Sequence, residues 1–147
     1  MPNKQQLIIN IDESARKLCN IMESIENDHI TISPDAYSWR YVEKRGLSVI
    51  WEAIDAVHSI DINSSIPVIT TAISFARGKI KSAKQTLHHY CELFRIDIGC
   101  LQELLGALEE LEQSLIALEK HIDKCLKKAE QYLEKADSEN VPEYHER

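Results

Sequence analysis

LQELLGALEELEQSLIALEKHIDKCLKKAEQYLEKA, residues Leu101–Ala136, is the stretch that decides the fold. Within it Leu101, Leu104, Leu108, Leu111, Leu115, Leu118, Ile122, Cys125, Ala129, Tyr132 and Ala136 follow one another at alternating steps of three and four. An α-helix turns once in about 3.6 residues, so such steps lay every one of these side chains along one stripe. A strand would need alternation by two. The regularity is that of knobs-into-holes packing between helices.

The same spacing recurs upstream. Ile66, Ile69, Ile73, Ala76, Ile80, Ala83, Leu87, Tyr90 and Phe94 form a second stripe, opened by Ser65 as a cap and Pro67 in the first turn. Its phase continues into the Leu101 stripe by way of Asp97. Either one unbroken helix or two helices joined by a tight turn at Arg95–Asp97 satisfies the pattern. Asp97 on the stripe and Gly99 beside it favour the turn, with Asp97 as an N-cap. Ile8, Ile11, Ala15, Leu18, Met22 and Ile25 mark a first helix from about Gln5 to Asn27. Ser33-Pro34-Asp35 is a start signal for another, reaching about His58. Leu47, Ile50, Ile54 and Val57 give that helix its apolar stripe, and Gly46 marks a bend within it.

The expected fold is therefore all-α: a bundle of about four helices ending in a long antiparallel hairpin with a coiled-coil-like seam. One domain spans 1–137, followed by a flexible polar tail at 138–147. Four Gly, four Pro and 6% aromatics are too few for a sheet protein of 147 residues. No run of 18 apolar residues suggests a membrane span. The N-terminus MPNKQQLIINIDES lacks a secretory layout, because Asp12 and Glu13 follow a very short apolar run. Cys19, Cys91, Cys100 and Cys125 include no CxxC, which fits free thiols and a cytoplasmic location.

A net charge of −7 disfavours nonspecific nucleic-acid binding, which needs surplus cations. It favours a basic protein partner instead. The charge is uneven: residues 66–94 carry Arg77, Lys79, Lys81 and Lys84 against Glu92 alone. Arg77, Lys81, Lys84 and His88 share a helical face as a basic strip. The strip has three readings: pairing within the bundle, an acidic protein, or phosphate and anionic membrane.

Two features point to partner binding. Tyr37-Ser38-Trp39-Arg40-Tyr41 is the one aromatic cluster. Aromatics and Arg are the residues of binding hot spots, although core packing is favoured, with Trp39, pointing away from Tyr37 and Tyr41, filling a gap between helices. Second, the last helix outruns the others, so Leu118, Ile122, Leu126 and Leu133 are expected to meet a second subunit or another protein. A metal site would draw on His88, Cys91 and Cys100, or on His121 and Cys125, but no four-ligand set of standard spacing occurs. No cofactor motif or nucleophile elbow is present, so no catalytic residue or cofactor is assigned.

His89, Gly99, Leu101, Leu104 and Leu108 follow an outline that resembles the histidine phosphotransfer domains, small acidic four-helix bundles with an exposed His. The resemblance implies His89 as phosphoacceptor. The chain departs from it at Glu92 and Leu93, where that family carries Lys and Gly. Glu92 would repel a phosphoryl group. Ile66–Ala76 is nearly apolar all round, which suggests full burial; a third functional reading takes it as a shallow membrane contact. The leading expectation is a non-enzymatic helical binding protein: an inhibitor, a toxin-neutralising protein of the immunity type, or a subunit of a larger complex.

Overall fold

The computed structural model describes residues 3–27, 36–94 and 98–145, with side chains at 3–27, 37–94 and 101–136. The described residues form, in order, the α-helices α1 Lys4–Asn27, α2 Ala36–Val42, α3 Ser48–His58, α4 Ile66–Phe94 and α5 Ile98–His145. A π-helical turn, Glu43–Leu47, joins α2 to α3 without breaking the helix. No strand occurs among the described residues. The Ser33-Pro34-Asp35 start signal and the Arg95–Asp97 turn lie outside them.

The stripes become the core. Leu7, Ile11, Ala15, Leu18, Met22 and Ile25 of α1 are buried in one core with Leu104, Leu108, Leu111, Leu115, Leu118 and Ile122 of α5, Ile50, Ala53, Ile54 and Val57 of α3, and Ile69, Ile73, Ile80 and Leu87 of α4. Leu7, not Ile8, opens the α1 stripe. α1 packs against both α5 and α3.

Polar pairs give the helix directions. Lys17 bonds Glu110 at 3.0 Å and Ser14 meets Ser114 at 3.1 Å, so α1 runs antiparallel to α5. Arg77 bonds Glu119 at 3.0 Å while Lys84 reaches Glu112 at 3.4 Å. The number falls on α5 as it rises on α4, so these two form the antiparallel hairpin. Antiparallel helices cannot be one continuous helix, so α4 and α5 are separate.

Gly46 sits inside the π-helical turn, where the Ser48 N–H and its hydroxyl both donate to the Glu43 carbonyl. A Cβ on Gly46 would fall 2.8 Å from Cδ2 and 3.2 Å from Cγ of Leu87. The expected bend is thus a one-residue widening of the helix, and glycine there lets α4 approach. At the other end, Ser65 caps α4 with its Oγ 3.4 Å from the Val68 N–H. α5 extends to His145, into the stretch read from the sequence as a polar tail.

Candidate site: an aromatic and arginine patch

Two helical faces meet at one end of the bundle. Tyr37 and Tyr41 are four apart on α2; Tyr90 and Phe94 are four apart on α4. Helical spacing stacks each pair on its own helix, and the α2–α4 crossing brings the pairs together. Tyr41 stacks on Tyr90 with centroids 5.7 Å apart, Tyr90 stacks on Phe94 at 5.7 Å, and Tyr37 meets Tyr41 edge-on at 5.1 Å. Arg45, one helical turn beyond Tyr41, lays its guanidinium over Tyr41 at 5.3 Å and Tyr90 at 5.9 Å. It also donates to the Tyr90 hydroxyl at 2.8 Å. The Tyr37 and Tyr41 hydroxyls share a hydrogen bond of 3.1 Å. Planar donor, ring faces and hydroxyls are thus held in fixed positions at the surface. Tyr37 is 63% exposed and Leu93, beside the rings, 60%. Arg40, Lys44, Arg45 and His89 are exposed on the same helices, as are the acids Glu43 and Glu92.

Trp39 belongs underneath. It is 7% exposed and its indole N–H donates to Glu43 at 2.7 Å. Its place in the core corrects its assignment as a partner-binding residue, whereas Tyr37, Arg40 and Tyr41 lie where a partner could touch them. Arg45, Tyr90, Phe94 and Leu93 complete the patch, and sequence reasoning does not assign them to a site. The one signal for them is aromatic side chains four apart at the end of the α4 stripe.

The last helix divides in a similar way. Leu118 and Ile122 are buried within the chain, which removes them from the expected association face. The uncovered length starts directly after them: every residue from Asp123 to Ala136 is exposed, including Leu126 at 40% and Leu133 at 66%.

The basic strip is shared. Arg77 and Lys84 pair with Glu119, Glu109 and Glu112 of α5, whereas Lys81 and His88 are exposed. Burial works against the Lys84 charge, but its hydrogen bond to Glu109 and the charges of Glu112 and Glu109 outweigh this and hold its pKa above the ordinary lysine value. The same hydrogen bond from Lys84 lowers Glu109. The pair therefore stabilises the fold at neutral pH, is lost in acid as pH falls through the lowered Glu109 value, and is lost in base as pH rises through the raised Lys84 value. Glu109 is half exposed, so the effect stays below about 1 kcal/mol.

Ile66–Ala76 is not buried all round. Ile69, Ala72, Ile73 and Ala76 face the core, while Val68 and Phe75 are exposed along a groove of about 490 Å³ shared with Ala56. Among the described residues no helix is long and apolar enough to cross a membrane. No group of three His, Cys, Asp or Glu side chains is placed to hold a metal among those residues. His121 and Cys125 do meet, at 3.7 Å, and the Cys100 side chain lies outside the description. Burial pushes the Cys91 thiol up to about 11, whereas Cys125 is exposed. In the monomeric Leu126→Asp with Leu133→Asp variant, a thiol reagent at neutral pH should label Cys125 at least tenfold faster than Cys91, as read by peptide mass spectrometry. Equal rates would mean that α4 does not pack as described.

His89 is exposed, with its ring edge-on to Tyr90 at 5.0 Å. Leu93 lies one turn further along the same helix. No protein-family model matches the chain, and no curated protein or solved structure is detectably similar to it.

Proposed function

We propose that the chain is a non-enzymatic binding protein that docks a protein partner on the Tyr37–Tyr41–Arg45–Tyr90–Phe94 patch. The observation carrying this reading is the half-exposed, pre-ordered stack of three rings, two of them under one guanidinium, with Tyr37 and Leu93 exposed at its edge. Rigid aromatics and Arg contribute contact area and directional hydrogen bonds at small cost in side-chain entropy, which is why they dominate hot spots. The chain's −7 would steer a basic partner from a distance. At the patch the sign is reversed, because Arg40, Lys44 and Arg45 outnumber Glu43 and Glu92. The segment that docks there should accordingly carry carboxylates next to an apolar side chain. An inhibitor, an immunity-type protein and a complex subunit all fit this description.

The test is co-purification from the native host, followed by titration of the identified partner. Arg45→Glu and Tyr90→Ala should each weaken binding by about 30-fold or more, the hot-spot range. Gln85→Ala, on an exposed stretch of α4 outside the patch, should leave it unchanged. Binding that ignores both patch variants would refute the reading.

Phosphotransfer through His89 competes with it. Leu93 stands exposed where that family leaves room for an approaching kinase or receiver, and Glu92 is exposed beside it. Incubation with acetyl phosphate should leave His89 unmodified. Acid-labile phosphate on it would overturn the binding-protein reading in favour of signalling.

A further inference from the structure

We propose that two copies of the chain associate through the outer part of α5, antiparallel, with the two-fold axis at Ala129. This does not depend on what docks at the aromatic patch.

From Asp123 to Ala136 the helix leaves the bundle and runs on for about 21 Å at 1.5 Å per residue. Along this length Cys125, Leu126, Ala129, Tyr132, Leu133 and Ala136 recur at helical spacing, all exposed. Whatever covers such a stripe needs a matching apolar stripe of similar length. The stripe itself is one.

Charge selects both the second copy and its direction. Residues 120–128 carry Lys120, Lys124, Lys127 and Lys128 against Asp123, net +3. Residues 129–136 carry Glu130 and Glu134 against Lys135, net −1, and the next charged residues in the chain, Asp137 and Glu139, are acidic. Parallel pairing would lay the two lysine blocks side by side. Antiparallel pairing lays the lysine block of each copy along the acidic block of the other, and two-fold symmetry makes the match twice.

A groove at the base of the projecting helix fits the same arrangement. It measures about 530 Å³ and has Leu7, Ala117, His121 and Cys125 as its walls, with Lys120 and Lys124 at the rim. With Ala129 opposite Ala129, Leu133 of one copy comes level with Cys125 of the other, and Glu134 with Lys124. Tyr132 and Leu133, exposed to 75% and 66%, are then the side chains that enter the groove. Ala129 carries only a methyl group, so the helices are free to approach closely at the axis.

Light scattering on the full chain should give twice 16.9 kDa, falling to the single mass in Leu126→Asp with Leu133→Asp. Both positions are exposed, and unchanged circular dichroism would confirm that the variant folds. Lys124→Glu with Lys128→Glu should weaken the dimer, as should Glu130→Lys with Glu134→Lys; all four changes in one chain should restore it. Under mild oxidation, Leu133→Cys should form an inter-chain disulfide to Cys125. Three results would each overturn the proposal. They are a monomer at all soluble concentrations, a dimer indifferent to Leu126→Asp with Leu133→Asp, and a disulfide joining like positions, either the two introduced thiols or the two copies of Cys125.

Discussion

Trp39→Ala should lower the unfolding free energy by about 3–5 kcal/mol, the usual range for truncating a buried aromatic. Its neighbour in sequence, Tyr37→Ala, should change stability by less than about 0.5 kcal/mol, as exposed positions do. The two residues are two apart and both aromatic, yet one lies in the core and the other is 63% exposed. Trp39 loses packing and its 2.7 Å hydrogen bond to Glu43 together. A domain of this kind is stable by about 5–15 kcal/mol, so the loss is a large share of the whole. Trp39→Phe keeps most of the packing and should cost about 1–2 kcal/mol, mainly for the lost bond to a charged acceptor. Denaturant titration followed by circular dichroism reads all three. Equal effects at Trp39 and Tyr37 would mean that the patch has no buried support.

The second large effect sits at Gly46 and Leu87. Leu87→Ala should cost about 2–5 kcal/mol as a core truncation. Gly46→Ala gains about 1 kcal/mol in helix propensity but forces its new methyl against Leu87, an overpacking worth about 1–3 kcal/mol. Leu87 is itself buried and has little room to give. The single change should therefore be neutral to destabilising by up to about 2 kcal/mol. In the Leu87→Ala background the clash is gone, and Gly46→Ala should be neutral or stabilising by up to about 1 kcal/mol. The double-mutant cycle isolates this contact. Simple additivity would show that Gly46 does not lie against Leu87.

The helices are legible because one physical rule, burial at steps of three and four, covers α1, α4 and α5 for most of their length. What spacing omits is register between helices. Leu118 and Ile122 read as uncovered because α1 is the shorter helix. The pairing of Lys17 with Glu110 and Ser14 with Ser114 slides Leu7 level with His121, and both positions are covered. The patch is half legible for the same reason. Tyr37 and Tyr41 are local neighbours, whereas Arg45 and Tyr90 are 45 residues apart and meet only through the α2–α4 crossing. That crossing depends on the absence of a side chain at Gly46, which the sequence marks as a bend without showing what it would approach. Ile66–Ala76 misleads in the other direction. Apolarity all round suggests full burial, but a helix at the edge of a bundle has neighbours on one side only.

The most direct test of the binding reading is site-specific photo-crosslinking in the native host, with a photoreactive amino acid placed at Tyr37, Leu93, Leu133 or Gln85. The expected result is one heterologous adduct shared by Tyr37 and Leu93, a self-adduct of doubled mass at Leu133, and none at Gln85. Absence of a heterologous adduct at Tyr37 and Leu93, with one appearing instead at Leu133 or Gln85, would contradict the aromatic and arginine patch as the docking surface.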